Sequence, residues 1–438
     1  EAARRLLASV LPLAVNGLAP ADRPKLAEAL EVLEKHSTVP GGVFSLLADA
    51  LRQAATDRVH SPRLLDTTAE VLELFRARRY RDDTHAEIRQ IVVEVEIATC
   101  QTQEMTKLEQ DARLTHAKEQ LERGYRRLGQ SDGESPARDA LDQAAAHLHR
   151  TEGRPVEACD LLDKVFQRQM RMGQISAAVD VVKELGRALR DRTYFREAIQ
   201  RYDRLLERAA DLPVAALPSL YLQRGTATKN LFQEAVRARR DSEEGAGEEA
   251  PVDLFDRARA DLDDAIRIGL QQDMPAVYLE AMSDVAELRI IRYEYDGLDI
   301  EGARDALSEF AKHVKAFPDT ARIVECMRYE ALLAFWDVDP EEAMTRANEA
   351  RDFVDKSGLP GGGGASGCHY LRARIAADAM ARGRLSERLL KEGIDGAEKA
   401  VEYYESTGQG DGTYCRRSRR RLEQLREYCK QRQSQSQD

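Results

Sequence analysis

The chain has little of what marks most enzymes and exported proteins. Its six cysteines, Cys100, Cys159, Cys326, Cys368, Cys415 and Cys429, are spread over 438 residues without a C-x-x-C pair. That excludes a zinc ribbon or a dense disulfide framework and points to reduced thiols in a cytoplasmic protein. No stretch approaches the 18 apolar residues of a membrane span, so a membrane is not an expected partner. Basic residues are outnumbered 66 to 77, for a formal charge of −11. The chain therefore lacks the global positive field of a nucleic-acid binder, and only a local basic patch is left for that role. No G-x-x-x-x-G-K-[ST] phosphate loop occurs. A literal G-x-G-x-x-G at Gly362, Gly364 and Gly367 lies in "LPGGGGASG" (359–367), which follows a helical segment and not a strand, so it reads as a flexible linker. His147 and His149 are two apart, on different faces of a helix, and do not make a metal pair. Cys368 and His369 are adjacent, which by itself argues little for a catalytic dyad. No cofactor, metal or enzymatic activity is expected.

What is present is helical. Charged residues make up 33% and apolar residues 42%, a balance suited to long helices with wet outer faces. Apolar positions recur with a helical period almost end to end, and strand-like alternation is hard to find. Ser61-Pro62, Ser135-Pro136 and Asp339-Pro340 each set a capping side chain before a proline at the first helical position. Six windows align on an alanine: Ala158, Ala198, Ala258, Ala303, Ala343 and Ala397. Four residues on stand Leu162, Tyr202, Leu262, Leu307, Ala347 and Val401. Seven on stand Val165, Leu205, Ala265, Phe310, Ala350 and Tyr404. These offsets share one helix face, where the small residue admits a neighbouring helix and the larger ones fill the space beyond.

Each window follows a turn and another helical segment, which makes a helix-turn-helix unit repeated six times. The unit around Ala198 adds Leu185-Gly186, Phe195 and Tyr202. That around Ala158 has a turn glycine, Gly153, and "FDRARADLDDAI" (255–266) is preceded by Tyr221 and Gly225. In these residues the chain resembles the tetratricopeptide repeat family, clearest over 179–270 and looser over 137–405. The alanines are 40, 60, 45, 40 and 54 residues apart, against a family period of about 34, so longer helices or inserts are expected. The acidic "DSEEGAGEEAP" (241–251) is one such insert. The resemblance implies an all-α fold: an α-solenoid of antiparallel helix pairs with extra N-terminal helices, one long helix and a C-terminal capping helix. A helical solenoid of another repeat type is the alternative, with the same physics of neighbour-on-neighbour burial.

The expected organisation is an N-terminal helical cap (1–60), a helical hairpin with a long helix (61–130), about six helix pairs (135–405), a basic capping helix (411–432) and a disordered tail (433–438). The first residues form an amphipathic helix in this reading, the apolar run being short for a signal peptide. The chain begins without Met, so a larger protein with a further domain is also an expectation. Residues 63–123 contain no glycine or proline. From the capping box Thr84-His85-Ala86-Glu87, one helix is expected to run to Leu128. Leu114, Leu121 and Leu128, spaced by seven, offer a coiled-coil seam or, more simply, a face packed on the repeats.

In the tetratricopeptide family the first helix of each unit lines a groove. The resemblance then places Lys183, Arg187 and Arg190, and in the next unit Thr226, Lys229 and Asn230, on a basic, hydrogen-bonding strip suited to carboxylate or phosphate groups. A solvated face paired with Asp180 or Glu184 is the other reading. At the C-terminus Arg416, Arg417, Arg419, Arg420 and Arg421 form a possible basic docking helix. The function expected is a non-enzymatic scaffold or adaptor that binds a protein or peptide, an acidic one suiting the strip. The alternatives are a sensory or regulatory module of a larger signalling protein or complex, with a protease or nucleotide-switch partner, and a regulator that binds nucleic acid through the C-terminal helix. The sequence does not set the oligomeric state.

Overall fold

The computed structural model describes residues 19–36, 67, 70, 71, 73, 74, 83–102, 106–128, 135–241, 251–297, 299–337, 339–357, 363–406 and 413–435. Among them the regular elements are all helical. They divide into two compact units, Glu1–Arg192 and Thr193–Asp438. The first unit holds α1 (Arg23–Lys35), α2 (Asp83–Thr102), α3 (Lys107–Leu128), α4 (Pro136–Thr151), α5 (Pro155–Arg171) and α6 (Ile175–Asp191). The second holds α7 (Phe195–Leu206), α8 (Leu217–Asp241), α9 (Pro251–Gln271), α10 (Pro275–Asp296), α11 (Ile300–Ala316), α12 (Thr320–Asp337), α13 (Pro340–Ser357), α14 (Gly363–Ala381), α15 (Glu387–Ser406) and α16 (Thr413–Gln435).

From α2 to α6 and from α7 to α16, consecutive helices pack on one another. Turns of three residues join many of them, as at 152–154, 172–174 and 272–274, which forces antiparallel neighbours. Gly153 and Gly173 take the left-handed conformation these turns need, with φ of 72° and 70°. All six window alanines are fully buried. They lie on α5, α7, α9, α11, α13 and α15, the second helices of the pairs. In the second unit the first helices α8, α10, α12, α14 and α16 also touch one another in succession, forming a continuous row. Each unit is thus a stretch of tetratricopeptide-like α-solenoid. Where helices cross most closely, even a methyl group is excluded: a Cβ on Gly396 of α15 would meet the His369 carbonyl at 2.7 Å. Leu162 and Leu262 are both buried in these contacts, each worth about 1.5–3 kcal/mol.

Several expectations change in detail. The long helix expected from Thr84 to Leu128 is two helices, α2 and α3, that pack on each other. The join at 103–105 lies outside the described residues. Thr106 starts α3 with a capping box, its hydroxyl and amide both bonded to Glu109. Thr84 is inside α2, and its side chain is outside the description. Leu114, Leu121, Leu128 and Tyr125 pack into the core beside Leu141, so they serve as a core face. The linker read at 359–367 is helical from Gly363 onward, and within it a Cβ on Gly367 would come within 2.7 Å of the Arg328 guanidinium. Gly362 and the insert residues 242–250 lie outside the described residues. Helix α16 runs to Gln435, into the segment read as a tail. Ser135 and Asp339 do cap their helices, through bonds to the Arg138 and Glu341 amides, whereas Ser61 and Pro62 lie outside the description.

Candidate functional site

In the first unit a cleft of ≈ 390 Å³ opens between helices, a volume typical of sites that take a side chain or a small molecule. Helix α2 supplies Gln90, Glu94 and Ala98, α4 supplies Gln143, His147 and Arg150, and α6 supplies Glu184. Spacings of four and three put each set on one helix face. Val95 and Leu162 add apolar wall. Some of the polar groups are already engaged: Gln90 donates to Glu94 at 2.9 Å and Arg150 to Glu184 at 2.9 Å. Among the described residues no hydrogen bond is made by the Gln143 amide or the His147 ring. Burial lowers the pKa of His147, and Arg150 and Arg187 add to the effect against the pull of Glu184 and Glu94. The ring is therefore neutral near pH 7, with one donor and one acceptor to offer.

The α6 part of the basic strip borders this cleft through Glu184. Arg187 is paired with Glu184, and Lys183 with Asp180 at 3.3 Å. Arg190 is half-buried. The strip thus carries the acidic neighbours that the solvated-face reading names. Thr226, Lys229 and Asn230 lie in the second unit, on α8. There Lys229 is buried, bonded to Asp284 at 2.5 Å and to Glu287, both on α10, and Thr226 donates to the same Asp284. Lys229 is a core cation that ties α8 to α10, not one exposed to a groove. Asn230 is half-buried.

Such pairs tie helices of the second unit together, among first helices and between first and second. Arg224 bonds Asp261 at 2.6 Å and Asp203 at 2.7 Å. Arg322 bonds Glu325 at 2.7 Å and Glu280 at 3.3 Å. Arg374 bonds Glu294 and reaches Asp378 at 3.5 Å. A small cleft of ≈ 40 Å³ lies in the row of first helices, with Gln233 from α8, Glu287 from α10, Arg328 and Tyr329 from α12, Tyr370 from α14 and Tyr414 from α16.

The arginines of α16 are dispersed over several contacts. Arg419 bonds Glu405 at 2.7 Å. Arg421 stacks over Tyr370 at 4.5 Å and Arg417 over Tyr414 at 5.8 Å. Arg416 and Arg420 are exposed, while Cys415 and Leu425 are fully buried beneath the helix. The helix covers the last pair of the second unit, as a terminal helix of a repeat array does. Cys368 and His369 do not form a nucleophile and base. Burial raises the thiol pKa of Cys368, and burial with Arg372 and Lys399 lowers that of His369 to about 4. The thiol stays protonated near neutral pH. Among the described residues no group of His, Cys, Asp and Glu is arranged to hold a metal, and no helix is long and apolar enough to cross a membrane.

No protein-family profile matches the chain, and no curated protein matches it. Solved structures do resemble it in architecture. A Rap protein complexed with competence and sporulation factor is 11% identical with a TM-score of 0.42, over 93% of this chain and 97% of that one. The apo form of RapI is 8% identical with a TM-score of 0.49, over 88% and 98%. A signal-transduction ATPase with a tetratricopeptide repeat sensor from Pyrococcus horikoshii is 11% identical with a TM-score of 0.38, over 93% and 62%. At these identities the likeness is one of helical-repeat architecture and assigns no ligand.

Sequence reasoning missed the cleft residues Gln90, Glu94, Gln143 and Arg150. Their spacing on α2 and α4 was a usable signal, because polar residues at i, i+4 and i+7 inside otherwise apolar helices face something other than core. His147 drew notice only as a potential metal ligand.

Proposed function

We propose that the chain is a non-enzymatic scaffold that recognises a protein or peptide segment on the helix faces lining its clefts. The observation that carries this reading is the cleft of α2, α4 and α6. It is large enough for a side chain, has apolar wall, and presents the Gln143 amide and His147 ring without partners of their own. Both residues are half-buried at an open cleft, so their donors and acceptors are available to a ligand. Arg187 is tied to the rim through its pair with Glu184, where charged pairs set orientation more than affinity. An adaptor or regulatory role in the cytoplasm is consistent with this surface. The dispersed contacts of α16 weigh against the nucleic-acid reading.

The test is affinity capture from native lysate with three proteins: wild type, Gln143→Ala/His147→Ala, and Glu157→Lys on the exposed side of α5. Retention by wild type and Glu157→Lys, with loss from the double variant, supports the reading. Equal retention by all three refutes the cleft as the binding face.

A further inference from the structure

The charges around the cleft of α2, α4 and α6 limit what can enter it. Glu184 is held by Arg150 at 2.9 Å and by Arg187, and Glu94 accepts from Gln90 at 2.9 Å. With Arg187 counted, two carboxylates stand against two guanidiniums. A charged side chain entering here would be stripped of water and find the opposite charges already engaged. A wholly apolar one would cover the Gln143 amide and the His147 ring, which would then lose water and gain no bond.

Gln143 and His147 are four residues apart on α4, so their side chains are neighbours on one helix face. Neither side chain makes a hydrogen bond among the described residues, and both are half-buried at the cleft. Burial, with Arg150 and Arg187 and against Glu184 and Glu94, lowers the His147 pKa. Near neutral pH the ring therefore offers one N–H and one bare nitrogen, and the Gln143 amide offers N–H donors and a carbonyl acceptor. Together they match a ligand group that carries a donor and an acceptor side by side without charge. A primary carboxamide is such a group: its oxygen accepts from one residue while its NH2 donates to the other. The buried Val95 and Leu162 give apolar wall for the methylene stem behind it. The cleft, at ≈ 390 Å³, admits a whole side chain.

We propose that this cleft is a specificity subsite for an uncharged carboxamide, the Asn or Gln side chain of a bound protein segment, with Gln143 and His147 as its two polar contacts. This deepens the protein-recognition reading and rests on it for the source of the side chain.

The test is a magnetic-resonance titration of the full chain, isotope-labelled in its histidine ring nitrogens, near neutral pH. The probes are the N-acetyl, C-amide forms of glutamine, glutamate, lysine and methionine, which share their main-chain amides and differ only in the side chain. The His147 signal is assigned by its loss in His147→Gln. The expected result is a saturable shift of the His147 ring nitrogens with the glutamine probe, half-complete in the millimolar range. The other three probes should bind at least about tenfold more weakly, as at a site built to hydrogen-bond its ligand. Gln143→Leu, its fold checked by circular dichroism, should lose the shift, and Gln143→Asn, which keeps the amide on a shorter stem, should retain part of it. No shift from the glutamine probe, or a shift that Gln143→Leu keeps, overturns the subsite. Equal shifts from all four probes overturn it too, since main-chain amides would then be what binds. A stronger response to the glutamate or lysine probe overturns the uncharged assignment. The broader reading fails separately: a glutamine-selective cleft in a chain that captures no protein would keep the subsite and remove the protein segment. A captured partner with no glutamine selectivity would do the reverse.

Discussion

Replacing Lys229 by Met should unfold the second unit at markedly lower denaturant. The ammonium is 6% exposed and sits between Asp284, 11% exposed, and Glu287, 28% exposed. Methionine fills nearly the same volume, so packing is largely kept and the charge is what changes. Removing one partner from a buried ion cluster leaves uncompensated charge, at a cost of about 3–5 kcal/mol. Here two carboxylates lose the cation between them, while Thr226 still bonds Asp284. Urea unfolding followed by tryptophan fluorescence isolates the event, because Trp336, the chain's single tryptophan, lies on α12 of this unit. With a slope of about 3 kcal/mol per molar urea, the midpoint should fall by roughly 1–1.5 M. The variant Lys229→Met/Asp284→Asn/Glu287→Gln removes the whole cluster and should recover most of that loss. A single-variant midpoint within about 0.3 M of wild type would refute the reasoning. So would a triple variant as unstable as the single one, since the loss would then come from packing.

Four further outcomes follow from the same physics. Arg328→Met should leave thermal stability unchanged or raise it, while Arg374→Met should lower it by about 3 kcal/mol or more, because only the second breaks a pair; calorimetry of both variants decides. Gly396→Ala should lower the melting temperature, since its Cβ would press on the His369 backbone and overpacking costs about 1–3 kcal/mol; a neutral effect would contradict the close crossing of α14 and α15. His369, held near 4 by burial and by Arg372 and Lys399, binds a proton more readily unfolded, with an ordinary value near 6.5. Its contribution is full above pH 6.5 and is lost as pH falls toward 4, at most about 2 kcal/mol after allowing for water around the ring; His369→Gln should therefore flatten the acid limb of stability against pH. Cys100 and Cys326, whose thiols are pushed up to about 11, the first by burial and Glu96 and the second by burial and Glu330, should react slowly with iodoacetamide at pH 8, and a mapped alkylation rate near that of a free peptide thiol would contradict this.

The second helices were legible from sequence because their constraint is local. An alanine at a helix crossing, with larger residues four and seven positions on, leaves a pattern that spacing alone reveals, and all six alanines are buried as that pattern requires. The first helices were harder. Lys229 is in register with a groove position in the repeat, but its fate is set by Asp284 and Glu287, more than fifty residues away in the chain. The join between α2 and α3 carries no glycine or proline, so periodicity ran straight through it. The glycine run at 359–367 misled for the opposite reason: from Gly363 on it is helical, and Gly367 stands where the Arg328 side chain approaches closely. Polar groups on α2 and α4 were visible one by one, but that they converge on one cleft is tertiary information.

The central claim, that the helix faces around the α2–α4–α6 cleft hold a protein segment, is tested most directly by site-specific photocrosslinking. A photoreactive amino acid is placed at Gln143 inside the cleft and, separately, at Glu157 on the exposed side of α5, and each protein is irradiated in native lysate. The account predicts a discrete protein adduct from position 143 and none from position 157. An adduct of equal yield from position 157, or none from position 143, would contradict it.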